Sequence, residues 1–167
     1  MKNTRRLTLS AILTALSVIC VFAAGTLPTG RMALLALSAC FTCAVCTMYG
    51  TKTALIHYAA VSLLSFFLAP KGAELIAYIM FIGYYPAIRE RVRALFLRAL
   101  IFTAAYALSL LLFKGILLAG LELTLWQYVL LLAGGEALFF IFDYALVCFK
   151  TVYTQKIIKK IPGLGKD

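Results

Sequence analysis

The sequence predicts an all-α polytopic membrane protein, and its composition, its apolar runs and the placement of its basic residues all support this. Of 167 residues, 64% are hydrophobic and 13% are charged, and the mean hydropathy is +1.01. A soluble domain is closer to half apolar and a quarter charged, because its surface faces water. The shortage of charge therefore indicates that lipid covers most of the surface, and it excludes disordered and coiled-coil chains.

Runs that are poor in charge define six predicted spans, because about 20 mostly apolar residues cross a bilayer. The first run is too long for the apolar region of a signal peptide, which has about 7 to 15 residues, so we expect a retained helix. The chain forms one domain, 1–167, and ends in a basic cytoplasmic tail, 150–167. The predicted helices cover 7–27, 32–49, 53–69, 74–88, 97–118 and 125–149.

The basic residues give the orientation. Sixteen Lys and Arg against six Asp and Glu give a net charge of +10. With the N-terminus inside, thirteen of the sixteen lie in cytoplasmic segments and three, Arg31, Lys71 and Lys114, lie outside. Cytoplasmic loops collect Lys and Arg, so we expect both termini in the cytoplasm, membrane lipids as partners and no nucleic-acid partner. The location expected is a plasma membrane of the bacterial inner-membrane type.

Among the ionisable side chains within predicted spans, where such groups are candidates for function, we single out His57, Glu136 and Asp143. His57 lies about 8 Å from the level of Lys52, and Asp143 about 10 Å from that of Lys150, both on the cytoplasmic side. We therefore predict that His57 and Asp143 meet as an intramembrane polar pair. The pair acts either as a proton relay or polar switch, or as a buried contact that fixes helix register.

Glu136 follows Gly134 and Gly135 in the sixth predicted helix. Two glycines at this point indicate either a close helix contact or a local unwinding beside a ligand.

Polar and aromatic side chains on the predicted outer face are candidate substrate-binding residues. A ligand pocket combines an aromatic face, an amide and a charge. Trp126 has the alternative role of an interface anchor. The candidates are Glu74, Glu122, Trp126, Gln127 and Glu136.

No sequence motif predicts catalysis, a metal or a cofactor. Cys40, Cys43 and Cys46 have the C-x2-C-x2-C spacing of iron–sulfur proteins, but a fourth ligand is missing where Gly50 stands, and the run is apolar. We expect these thiols to pack as small hydrophobic groups without a disulfide. The hydrolase, metalloprotease and Walker A signatures are also missing from the sequence, so we expect a protein that is not an enzyme. An intramembrane enzyme that uses Glu136 and Asp143 is a weaker alternative.

Ala11 and Ala15 form a small-x-x-x-small pair on the first helix, a spacing that lets helices approach closely. The pair serves either for docking on a partner or for internal packing. With the basic start Lys2, Arg5 and Arg6, the segment 11–15 (AILTA), short loops and six helices, the chain resembles the substrate-binding S component of energy-coupling factor (ECF) transporters.

This resemblance implies a membrane-embedded, substrate-binding subunit of a micronutrient (vitamin-type) uptake transporter. Such a subunit has no ATPase activity and docks on a transmembrane coupling subunit driven by two ATPases. The docking surface would be Ala11 and Ala15, and the pocket would open outward near the outer-face candidates. The competing hypothesis is a small membrane protein that acts through helix contacts with a partner and transports nothing.

Overall fold

The regular elements of the protein are all helical in the part of the chain that the computed structural model describes, residues 2–92, 94–112 and 125–156. Seven α-helices and one π-helical turn follow one another along these residues. They are α1 (Lys2–Thr26), α2 (Arg31–Tyr49), α3 (Thr51–Leu68), α4 (Ala73–Ala77), the π-helical turn (Tyr78–Ile82), α5 (Tyr85–Arg91), α6 (Leu95–Leu112) and α7 (Leu125–Lys156).

Four of these helices are long and apolar enough to cross a membrane. Their apolar stretches are Leu7–Thr26, Arg31–Tyr49, Thr51–Leu68 and Trp126–Gln155, and they coincide with the first, second, third and sixth predicted spans. A shorter apolar stretch, Leu95–Leu110 in α6, coincides with the fifth. The all-helical fold is thus confirmed for the described residues, and the four long apolar helices are compatible with a membrane protein. Residues 113–118 of the fifth predicted span lie outside the described residues.

The predicted helix over 74–88 corresponds to three successive helical elements in the structure. The segment divides into α4, the π-helical turn and α5, with a turn at Gly83 and Tyr84. The Gly83 N–H donates to the Tyr78 carbonyl five residues back (2.8 Å), the spacing of a π-helix. Pro86 has no N–H to donate to the preceding turn, so the helix restarts there with proline in its first turn.

The ends of α7 differ from the prediction in one respect. The predicted sixth helix ends at residue 149, whereas α7 continues to Lys156 and has 32 residues. At 1.5 Å per residue this is about 48 Å, well beyond a hydrocarbon core of about 30 Å. The first seven residues of the predicted tail therefore continue the helix, and residues 157–167 lie outside the described part.

Helix α2 is central to the packing. It contacts α1 and α3 on one side, and α5 and α7 on the other, while α6 packs against α7 and the π-helical turn. One apolar cluster joins α1, α2 and α3 around Val21, Leu35 and Val61. A second joins α2, α5 and α7 around Tyr85 and Phe139. The second cluster brings α5, α6 and α7 together, and the candidate site is built at its edge.

Candidate functional site

The buried carboxylate of Asp143 joins α7 to α5 and α6. Its Oδ1 accepts hydrogen bonds from the Tyr85 hydroxyl (2.6 Å), Arg89 Nε (2.9 Å) and Arg98 Nη1 (2.7 Å). The side chains of Asp143 and Arg98 are 12% and 10% exposed. Two guanidinium groups and a phenol thus converge on one carboxylate oxygen, which we call the Asp143 cluster.

Local sequence explains how α5 contributes to this cluster. Tyr85 and Arg89 are four residues apart, so they lie on one face of α5, which starts at Tyr85 because of Pro86. The Tyr85 ring packs edge-on against Phe139 of α7, with ring centroids 5.3 Å apart. Phe139 is four residues before Asp143, so the same faces of α5 and α7 carry both the aromatic and the polar contact.

A cavity of about 410 Å³ lies beside the Asp143 cluster. An ion pair between Lys150 and Glu90 forms part of its wall. Its lining comprises Arg89, Glu90, Arg98, Val147, Lys150 and Thr151. Three cationic side chains and one carboxylate therefore line the cavity, with the Asp143 carboxylate bound to two of the cations.

Sequence reasoning identified Asp143 as a candidate but missed its partners. Arg89 and Arg98 were interpreted as loop cations that set the orientation. The spacing of Tyr85 and Arg89, one turn apart beside a proline, is the signal from which their shared face could have been predicted. Arg98 gave no comparable signal.

His57 does not pair with Asp143, contrary to the prediction. The buried imidazole of His57 on α3 contacts α1 instead, with Nδ1 2.9 Å from Thr14 Oγ1 and Nε2 3.3 Å from Ser17 Oγ. Since α3 packs against α1 and α2, its polar side chain finds its partners there, whereas Asp143 finds its partners on α5 and α6. His57 therefore joins α3 to α1, whereas Asp143 joins α7 to α5 and α6.

Glu136 lies half-buried on α7 and accepts a hydrogen bond from the Thr103 hydroxyl of α6. The same hydroxyl lies 2.9 Å from the Ala99 carbonyl, so one hydrogen is within reach of two acceptors. Helix α7 is continuous through Gly134 and Gly135, so the structure does not have the local unwinding that was one of the two interpretations.

Gly135 has the close helix contact that was the other interpretation. A Cβ added there would lie 2.5 Å from Cε1 of the Tyr106 ring on α6, which no side chain can accept without movement. A Cβ on Gly134 would meet nothing within 4 Å. The two glycines are therefore not equivalent, and Gly135 is the one that α6 and α7 require.

The other predicted substrate residues have individual environments. Glu74 forms an ion pair with Arg31, which joins the start of α2 to α4. Trp126 is 71% exposed, as an interface anchor would be, and Gln127 is exposed beside it. Glu122 lies outside the described residues. Of the predicted set, none of the described members lines the cavity at the Asp143 cluster.

Ala11 and Ala15 are both exposed on α1. The other side of the helix, with Ser17, Val21 and Ala24, is buried against α2 and α3. Within the described part of the chain, Ala11 and Ala15 therefore do not pack inside the bundle. The exposed side continues through Ile19 and Phe22, which are 61% and 45% exposed.

The cysteines of the C-x2-C-x2-C run lie within the helix bundle. Cys43 and Cys46 are buried, Cys40 is half-buried, and all three thiols are free. Cys43 packs with Tyr85 and Phe139. Within the described residues, no group of three or more His, Cys, Asp or Glu side chains is placed to hold a metal ion.

Comparison with protein-family models, with curated proteins and with solved structures finds no match. The interpretation of function therefore depends on the geometry of the helices and on the resemblance already given.

Proposed function

We propose that this chain is an integral membrane subunit that docks on a partner membrane protein through the exposed side of α1. This docking face comprises Ala11, Ala15, Ile19 and Phe22. The observation that carries the proposal is the exposure of Ala11 and Ala15 on a helix whose other side is buried in the bundle.

The small residues of the docking face allow a partner helix to approach α1 closely. Lipid tails are as apolar as Leu or Ile, so membrane helices do not associate through hydrophobicity alone. They associate where small residues allow backbone contact and van der Waals packing over a long interface. Two alanines one turn apart, with Ile19 and Phe22 farther along the same side, provide a groove and a ridge for a partner helix.

The transport version of the proposal assigns the partner as a transmembrane coupling subunit driven by ATPases, with a vitamin-type micronutrient as substrate. It is supported by the resemblance to ECF S components, whose docking surface corresponds to Ala11 and Ala15. It is also supported by Glu136, a half-buried carboxylate well inside α7. In this version the protein works in a bacterial plasma membrane and has no catalytic step of its own.

Docking is tested with Ala15→Leu, which fills the groove. We expect this variant to lose the complex that the tagged wild-type protein forms in its native membrane, because the added side chain keeps the helices apart. The measurement is size-exclusion chromatography after extraction in mild detergent, together with the thermal midpoint of the isolated protein, which should not change.

The matched control is Ala137→Leu. Ala133 and Ala137 form a second exposed alanine pair with the same spacing on α7. The control should retain the complex. A complex that survives Ala15→Leu, or an isolated Ala15→Leu protein that unfolds, would exclude the docking face.

Substrate binding is tested with Glu136→Gln, which keeps the size and the hydrogen-bonding capacity of the side chain. If the charge contacts a ligand, the substitution should weaken binding by about tenfold, since hydrogen bonds to charged groups contribute about 1.5–3 kcal/mol. The measurement is the ligand-induced thermal shift in detergent, with a panel of vitamins and small organic cations.

Lys52→Gln is the control, because it changes an exposed charged side chain at the start of α3 that lines no described cavity. Equal shifts for wild type and Glu136→Gln would remove Glu136 from the site. The absence of a shift with every ligand would favour a docking subunit that transports nothing.

A further inference from the structure

The cavity beside the Asp143 cluster has an excess of positive charge. Arg89, Arg98 and Lys150 carry three positive charges, and Asp143 and Glu90 carry two negative ones. Of the cations that line the cavity, Arg98 is the most buried, with 10% of its side chain exposed, whereas the Lys150 side chain is 36% exposed. An uncompensated charge at a buried site is costly, so this site favours one further negative charge.

Arg98 also has an unused donor. Its Nη1 donates to Asp143, but its buried Nε has no hydrogen-bond partner among the described residues. Buried donors are almost always paired, and a guanidinium presents its N–H groups in a planar fork that fits two oxygens of a phosphate. The vacant donor and the excess charge thus indicate the same kind of ligand, an oxyanion.

We propose that this cavity binds a phosphate group that carries a single negative charge, as in a phosphodiester. The three cations lie at the end of the bundle where α5 ends and α6 begins, which the distribution of charge places at the cytoplasmic surface. Anionic phospholipid headgroups are concentrated there. An apolar path leaves the cavity along α7, where Val147, Tyr144 and Phe140 are 38%, 71% and 49% exposed. These side chains share one side of the helix, and an acyl chain can lie along it.

The shared chemistry is a phosphate monoanion, and its source is either a lipid headgroup or a soluble phosphate. The path along α7 favours the lipid. The two sources are separated by measuring the thermal midpoint of the detergent-solubilised protein with added phosphatidylglycerol, phosphatidylcholine, inorganic phosphate or glycerol phosphate. Phosphatidylglycerol should stabilise the wild-type protein at a lower concentration than phosphatidylcholine, whose choline neutralises the phosphate.

Two substitutions at the rim should have opposite effects. Lys150→Gln removes a cation and should raise the half-maximal concentration of phosphatidylglycerol by about tenfold. Glu90→Gln removes a carboxylate from the cavity wall and should lower the half-maximal concentration of phosphatidylglycerol. Lys52→Gln, which removes an exposed cation at the start of α3, is the matched control and should leave this concentration unchanged.

These variants also separate the proposal from a purely structural role of the ion pair. If Lys150 and Glu90 only stabilise the fold, both substitutions should lower the midpoint alike and neither should change the response to lipid, and this result would overturn the proposal. The same opposite effects obtained with inorganic phosphate or glycerol phosphate would support the site and assign it to a soluble ligand. A response to phosphatidylglycerol that is the same in all four proteins would exclude the cavity.

Discussion

Asp143→Asn should lower the free energy of unfolding by about 3–5 kcal/mol, the range for removing one partner of a buried ion pair. Asparagine has the same shape but no charge, so Arg89 and Arg98 would remain buried without a counter-charge. The amide would also present a weaker acceptor to Tyr85. The measurement is unfolding in detergent, followed by heat or by denaturant.

Two further variants test why Asp143→Asn should lower the free energy of unfolding. Glu90→Gln removes a carboxylate from the ion pair with Lys150, whose side chains are both about one-third exposed, and it should cost less than about 1 kcal/mol. Asp143→Asn combined with Arg98→Gln should lose less than the sum of the single changes, because the uncompensated charge is removed. An Asp143→Asn protein as stable as wild type would show that the cluster contributes no net stability.

Gly135→Ala should destabilise the protein by about 1–3 kcal/mol, the usual cost of overpacking. The new Cβ would lie 2.5 Å from the Tyr106 ring. That ring cannot turn aside easily, because it packs against Phe81 and Phe102 with ring centroids 5.6 and 5.9 Å away. The separation of α6 from α7 would therefore have to increase, and the measurement is the thermal midpoint in detergent.

Gly134→Ala is the matched control for this prediction. It is the adjacent residue of the same helix, but its Cβ would meet nothing within 4 Å. Alanine is a better helix former than glycine by up to about 1 kcal/mol, so this variant should be as stable as wild type or more stable. Equal effects of the two substitutions would contradict the assigned contact between Gly135 and Tyr106.

The long helices could be predicted from the sequence because they depend on one quantity, the length of an apolar run. The ends of α2 and α3 lie within two residues of the predicted positions for this reason. The segment 74–88 is different, since its hydropathy suits a helix but Pro86 and the π-helical hydrogen bond divide it. A break of this kind depends on the carbonyl to which each backbone N–H donates. Hydropathy does not describe that choice.

The partners of the polar side chains could not be predicted, and lipid is the physical reason. In a soluble protein the polar side of a helix faces water, so the sequence indicates which side faces inward. In a membrane both sides of a helix are apolar. The sequence therefore left open whether Ala11 and Ala15 face the bundle, and it placed His57 and Asp143 at similar depth without fixing the direction of either side chain.

From the placement of the basic residues we predict that the chain crosses the membrane six times, with both ends and the cavity beside Arg98 at the cytoplasmic surface. The most direct test is labelling of single cysteines with a membrane-impermeant maleimide in intact cells, in a protein whose five native cysteines are replaced. Positions 31, 71 and 114 should react from outside. Positions 52, 91 and 160 should react only after the membrane is permeabilised. Labelling of position 52 or position 160 in intact cells would contradict the six-span arrangement and, with it, the cytoplasmic location of the phosphate site.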